Sequence, residues 1–129
     1  MSEIPKDRRF TPSHEWALKS GDQIHVGITD FAVQELGDLV FIDLPEVGTA
    51  VTAGEPFGEI ESVKAVSELS APVSGTITKV NNDLEDSLEN LAESPYEDGW
   101  LIHIDPSEPG EFTQLLTHTD YARKLSEEE

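Results

Sequence analysis

The sequence predicts a mainly β domain of short, mostly antiparallel strands with a helical carboxyl tail. Three observations point there. Apolar residues alternate over short runs such as Leu39-Val40-Phe41-Ile42. Glycine and proline break the chain so that strands recur roughly every 8–12 residues, a spacing that favours a sandwich or barrel over a parallel α/β sheet. The carboxyl end then switches to helical spacing, with Phe112, Leu115 and Leu116 at i, i+3 and i+4. At 129 residues the chain has the length of one domain, and its 36% apolar content suffices for a small core.

The elements follow in order. Residues 1–10 read as an arm, with Ile4-Pro5 and the charged Lys6-Asp7-Arg8-Arg9, and residues 11–129 as one domain. His14 to Lys19 and Gln23 to Thr29 form two strands, with Ser20-Gly21-Asp22 as the hairpin turn. In the second strand Ile24, Val26 and Ile28 share one face and His25 lies on the other. Thr29 or Asp30 caps a short helix through Leu36, which Gly37 stops. Leu39 to Leu44 is a strand closed by Pro45, and Gly48, Gly54, Pro56 and Gly58 punctuate β segments through Ile60. Val66 to Leu69, Gly75 to Val80 and Trp100 to Ile104 supply three more strands. Asn81 to Glu93, with Leu84, Leu88 and Leu91, makes a helical turn or ordered loop. Thr117-His118-Thr119-Asp120 is a capping box for a last helix through Lys124, and Ser126 to Glu129 should fray.

Charge excludes several function classes. Eight basic against 27 acidic side chains leave a formal net charge of −19. Nucleic acid and anionic membrane surfaces both need cationic patches, so neither is a partner. No run of apolar residues is long enough to span a bilayer. The amino-terminal residues have neither signal nor transit character, which places the chain in a bacterial cytoplasm, or in a mitochondrial matrix only if a transit peptide has been removed. Monomer is the default state. Between Lys19 and Arg123 the basic residues are Lys64 and Lys79, amid 21 carboxylates. That field favours the charged form of a lysine, the opposite of what a Schiff-base or general-base lysine requires. It also suits steering toward basic partner proteins. Cysteine is absent, so any sulfur chemistry must arrive on something attached.

One segment stands apart. Gly58-Glu59-Ile60-Glu61-Ser62-Val63-Lys64-Ala65-Val66-Ser67-Glu68-Leu69 sets a lysine between two strand-like runs, with Ser62, Val63 and Ala65 as small neighbours. A tight turn there holds the ammonium away from the body and lets another enzyme close over it. Competing readings are weaker. Glu59 and Glu61 alternate on one strand face and could form, with Lys64, the site of a small acidic enzyme, yet solvated edge charges explain them better. Lys79 reads as an outward strand residue. His14, His25, His103 and His118 show no clustered spacing, so no metal site is expected. Ser62 has no His–Asp arrangement to activate it, and Trp16 and Trp100 read as packing residues.

Glu61-Ser62-Val63-Lys64-Ala65, with the later Ala71-Pro72-Val73-Ser74-Gly75, resembles the swinging-arm module of lipoyl and biotinyl carriers. Five further blocks make the chain similar to the glycine cleavage system H-protein family. They are His14-Glu15-Trp16, Val26-Gly27-Ile28-Thr29-Asp30, Leu36-Gly37-Asp38-Leu39-Val40-Phe41, Leu44-Pro45-Glu46-Val47-Gly48 and Pro95-Tyr96-Glu97-Asp98-Gly99-Trp100-Leu101. Val63 and Ala65 replace the methionines of biotin carriers, and no aspartate precedes the lysine as it does in 2-oxo acid dehydrogenase domains.

The resemblance implies a barrel-sandwich hybrid fold with short helices and a non-catalytic carrier whose Lys64 bears lipoate in amide linkage. Glu61, Ser62, Val63 and Ala65 are the neighbours that mark it for modification. The implied partners are the pyridoxal-phosphate-dependent glycine decarboxylase, a tetrahydrofolate-dependent aminomethyltransferase, dihydrolipoyl dehydrogenase and the lipoylating enzymes. The arm would carry an aminomethyl group between the first two and electrons to the third. A relay role, passing lipoyl or octanoyl groups to other lipoyl domains, is the alternative within this class. Glu15 is the candidate cleft residue that would hold the cargo amine, while Phe31, at a position where the family sometimes has histidine, is assigned no cleft role.

Overall fold

A computed structural model describes residues 5–108 and 110–128. Its strands are β1 Arg9–Phe10, β2 Glu15–Ser20, β3 Gln23–Ile28, β4 Leu39–Asp43, β5 Ala50–Val51, β6 Pro56–Ser62, β7 Val66–Ser70, β8 Gly75–Val80 and β9 Ile102–Pro106. They build a six-stranded sheet, ordered β1-β2-β3-β9-β8-β5, and a three-stranded sheet, β4-β6-β7. Every pairing is antiparallel. The helices are α1 Asp30–Leu36, α2 Leu88–Glu93, α3 Gly110–Gln114 and α4 His118–Glu128, with a 3-10 turn at Asn82–Glu85. None of the described helices is long and apolar enough to cross a membrane.

The alternation read from sequence sets the core. Ile24, Val26 and Ile28 point inward from β3 and meet Ile42, Ile60 and Leu69 from the smaller sheet, all essentially buried. Burying side chains of this size contributes about 1.5–3 kcal/mol each, which is what holds the two layers together. Thr29 caps α1 by accepting from the Ala32 N–H, and Gly37 ends it at φ 79°, a conformation that glycine adopts without strain.

Four expectations need correction. Arg9 and Phe10 are not part of an arm: they pair with Ala17 and Trp16, and Phe10 is fully buried. Pro5 to Arg8 precede that strand, and Met1 to Ile4 lie outside the described residues. The last strand starts at Ile102 rather than Trp100, because the Asn81 side-chain amide holds the Asp98 and Trp100 carbonyls and pulls that stretch out of the ladder. Ser126 does not begin a frayed end. The helix runs to Glu128, since Tyr121 and Leu125, one turn apart, are both buried. Nor are all the histidines scattered: β3–β9 pairing brings His25 against His103, rings 3.7 Å apart and parallel within 4°. Partial burial, then the neighbouring His25 and Lys79, lowers the His103 pKa to about 4.

A second apolar cluster gathers Phe10, Trp16, Tyr121 and Leu125 under the carboxyl tail. Trp16 lies flat over Gly27, donates its indole N–H to the Pro95 carbonyl at 3.0 Å and carries the Arg8 guanidinium 4.7 Å above its ring. A Cβ on residue 27 would sit 2.5 Å from the indole carbons. Gly27→Ala should therefore cost about 1–3 kcal/mol through overpacking, seen as a melting temperature several degrees lower. An unchanged melting curve would show that the indole does not press on this strand.

Candidate functional site

Lys64 stands at the tip of the β6–β7 hairpin. The turn is closed by Ser62 N–H donating to the Ala65 carbonyl at 2.8 Å, while the Ala65 N–H donates to Ser62 Oγ at 3.1 Å. Ser62 is buried and acts as the turn's internal brace; Val63, Lys64 and Ala65 are exposed. Val63 N–H donates to the Asp38 carbonyl at 2.9 Å, which pins the hairpin tip to the corner following α1. The lysine stem runs past that corner: a Cβ added to Gly37 would lie 3.7 Å from Lys64 Cε. Val40, Phe41, Val63 and Val66 are large apolar residues left exposed on the strands and turn around it. The ammonium is thus raised on a rigid, partly apolar base.

Beside this tip opens a cleft of about 300 Å³, at the small end of the range for ligand sites. One wall is the β7 strand with its preceding residue, Ala65 to Leu69; the other is α1, through Phe31, Ala32, Glu35 and Leu36. Ile60 and Ile28 form apolar floor, and Ser13, His14 and Glu15 close the far end. Ala65 to Leu69 is four strand steps, or about 13 Å. An extended lysyl–lipoyl arm reaches on the order of 14 Å.

Glu15 is the chemical centre of that far end. It is 1% exposed. Oε1 accepts from Ser13 Oγ at 2.5 Å and Thr11 Oγ1 at 2.6 Å, and Oε2 accepts from the Ser70 N–H at 3.3 Å. Burial raises its pKa above the ordinary 4.5, and the donors from Ser13, Thr11 and Ser70 offset only part of that. A cation entering the cleft would find a desolvated carboxyl whose ionised form it stabilises.

The sequence-derived residues thus divide. Lys64, Ser62, Val63 and Ala65 share the tip, and Glu15 lies at the opposite end of the same cleft. Glu59 and Glu61 are exposed on the outer face of the small sheet, with Ile60 between them facing the cleft, so they do not converge with Lys64 on a reaction centre. Phe31 does line the cleft, contrary to expectation, and its ring packs 4.7 Å from that of His14. Helical spacing could have found it, since Phe31 and Glu35 lie four apart on one face. Ser13 was missed as well, although it stands two residues before Glu15.

Residues 8–128 match the family model described as Glycine cleavage H-protein. The chain belongs to the glycine cleavage H-protein family. It is 57% identical to the glycine cleavage system H protein of Rubrobacter xylanophilus over the full length of both chains. It is 54% identical to that of Geobacillus thermodenitrificans, covering 95% of this chain and 97% of the relative. The crystal structure of a glycine cleavage system H protein from Mycobacterium marinum superposes with a TM-score of 0.88 at 46% identity, covering 95% of this chain and 99% of that one. The family's members are the carrier component of the glycine cleavage system rather than one of its catalysts.

Because burial raises the Glu15 pKa, the protonated carboxyl suits the fold better than the carboxylate. Its contribution to stability is complete in acid and declines as pH rises through the raised value. Glu15→Gln keeps an acceptor for both hydroxyls and removes the titration. As pH rises from the ordinary carboxylate range through the raised value, the variant should gain on the wild type in urea midpoint; a gap independent of pH would contradict this account.

Proposed function

We propose that Lys64 carries lipoate in amide linkage. The arm so formed takes an aminomethyl group from a pyridoxal-phosphate-dependent glycine decarboxylase to a tetrahydrofolate-dependent aminomethyltransferase, then electrons to dihydrolipoyl dehydrogenase. The observation that carries this reading is an exposed lysine on a braced turn, one arm's length along an apolar-walled cleft from a buried carboxyl. The residues present suit the group. Ile28, Ile60, Leu36, Leu69 and Phe31 offer apolar surface to a hydrocarbon arm, and the chain's lack of cysteine means that no protein thiol competes in exchange. When attached, lipoate supplies a disulfide–dithiol pair, the chemistry that this chain's own residues lack.

Those residues tether, expose and shelter. The Ser62 brace and the Val63–Asp38 bond hold Nζ where a lipoylating enzyme reaches it, with Glu61 and Ala65 flanking the turn. Amide formation joins Nζ to the acyl carbon as the bond from that carbon to its activating group breaks; Nζ gives up two of its three protons and its charge, so that the arm can lie against the cleft wall. Glu15, aided by Ser13, receives the cargo's amine and excludes water from it. Tethering raises the effective concentration of the sulfur pair at each partner's active site. The partners reach the arm from the tip side, where Val40, Phe41, Val63 and Val66 are exposed. We place the chain, acting as a monomer, in the bacterial cytoplasm, in keeping with its bacterial relatives.

Intact mass tests the attachment. Wild type incubated with a lipoylating enzyme should gain about 190 Da, one acyl arm on one lysine. Lys64→Arg should keep the fold, gain no mass and support no aminomethyl transfer. A mass gain or transfer in that variant would move the site elsewhere.

A further inference from the structure

Tyr121 lies on α4, does not line the cleft, and yet touches both elements that form the cleft's outer lip. Its side chain is fully buried and stacks on Phe10, with centroids 4.6 Å apart and planes within 8°. Its hydroxyl lies 2.8 Å from His14 Nδ1 and 2.7 Å from Thr29 Oγ1. His14 belongs to the far end of the cleft, and Thr29 begins the α1 wall. His14 precedes Glu15, takes the left-handed φ of 74° and packs its ring on Phe31. Thr29 is the N-cap of α1, the helix that supplies Phe31, Ala32, Glu35 and Leu36 to the cleft. The backbone repeats the tie, with Thr29 N–H donating to the His14 carbonyl at 3.0 Å. A non-glycine residue in the left-handed region persists only where its surroundings over-determine it, and the Tyr121 hydroxyl is one of the groups that do so.

We infer that Tyr121 is a positioning residue that clasps the His14–Phe31 lip and thereby sets how firmly the cleft retains the loaded arm. The inference rests on the Lys64 arm reading above. The carboxyl-terminal helix is then more than a cover for the second apolar cluster. It is anchored through the Phe10 stack, the Leu125 contact and the paired backbone bonds between Phe10 and Leu116. Its one inward hydroxyl converts that anchoring into a fixed separation between the start of β2 and the start of α1.

Tyr121→Phe deletes a single oxygen and keeps the ring stack. On the unmodified chain, hydrogen exchange read by NMR should quicken about tenfold at the Thr29 and Ala32 amides, while the β6–β7 hairpin amides do not change. On the lipoylated chain, loaded with glycine and its decarboxylase and then freed of enzyme, the readout is spontaneous release of the cargo. In that release water adds at the methylene carbon and the C–S and C–N bonds break. One formaldehyde and one ammonia leave, and the sulfur regains its proton. Release should be about tenfold faster in Tyr121→Phe than in wild type. Thr29→Ser, which keeps a hydroxyl for both the cap and the bridge, should match wild type, and Thr29→Val, which loses the cap bond as well as the bridge, should release cargo at least as fast as Tyr121→Phe. Wild-type exchange or wild-type release in Tyr121→Phe overturns the inference, and so does Thr29→Ser behaving as Thr29→Val. A wild-type chain that loses cargo as fast as free aminomethyl-dihydrolipoamide overturns the docked-arm reading instead, and the inference with it. The Thr29 pair decides the matter even if Tyr121→Phe fails to fold.

Discussion

The site depends on one short backbone bond, from the Val63 N–H to the Asp38 carbonyl, acting with the Ser62–Ala65 closure of the same turn. A two-stranded hairpin on its own is marginally stable in water and moves as a unit. Here β6 is paired on both sides, and the tip is pinned to the corner where Gly37 ends α1. The consequence is directional. The lysine leaves the protein beside the helix that walls the cleft, so that whatever is attached to it begins its path at the cleft's mouth. A hairpin tip without that bond would present the same amine in no particular direction.

At the other end the constraint is electrostatic. Burying a carboxyl is costly unless donors compensate, and Glu15 has three: two hydroxyls and one amide hydrogen. They leave its pKa raised, because burial outweighs them. This differs in kind from the remaining acidic surface. Glu59 and Glu61 are exposed on the outer face of the small sheet, where water screens them. Net charge therefore said little about Glu15, which is among the least exposed carboxyls of the described residues.

The two ends are joined by apolar surface of the right length. The strand spacing of β7 and the reach of a lysyl–lipoyl arm are independent quantities set by covalent geometry, and their agreement is what the proposed docking of an arm in this cleft rests on. Neither Lys64 nor Glu15 has chemistry to perform by itself. One offers an attachment point and the other a desolvated acceptor. This division suits a protein that carries a reactive group between catalysts.

Most of the secondary structure was legible residue by residue. The Ile24-Val26-Ile28 alternation, the Thr29 cap, the Gly37 stop and the Ser20-Gly21-Asp22 turn are local rules, and each appears where the residues place it. The exposed turn that carries Lys64 was legible too, through the small residues around it. The misplaced boundaries have non-local causes. Asn81 reaching the Asp98 and Trp100 carbonyls, and Leu125 burying under the tail, are contacts between distant segments that no window around Trp100 or Ser126 contains. The cleft is of the same sort. By itself the sequence determined most of the strands, the caps, the acidity and the exposed turn at Lys64, because these follow from local sterics, periodicity and composition. Only the tertiary structure decided that Glu15, Phe31 and Leu69, from three separate segments, line one cleft beside the Lys64 turn, and that one hydroxyl from the last helix bonds both His14 and the Thr29 cap of α1. Packing of distant elements sets those distances, and chain order does not encode them in any form a local pattern can show.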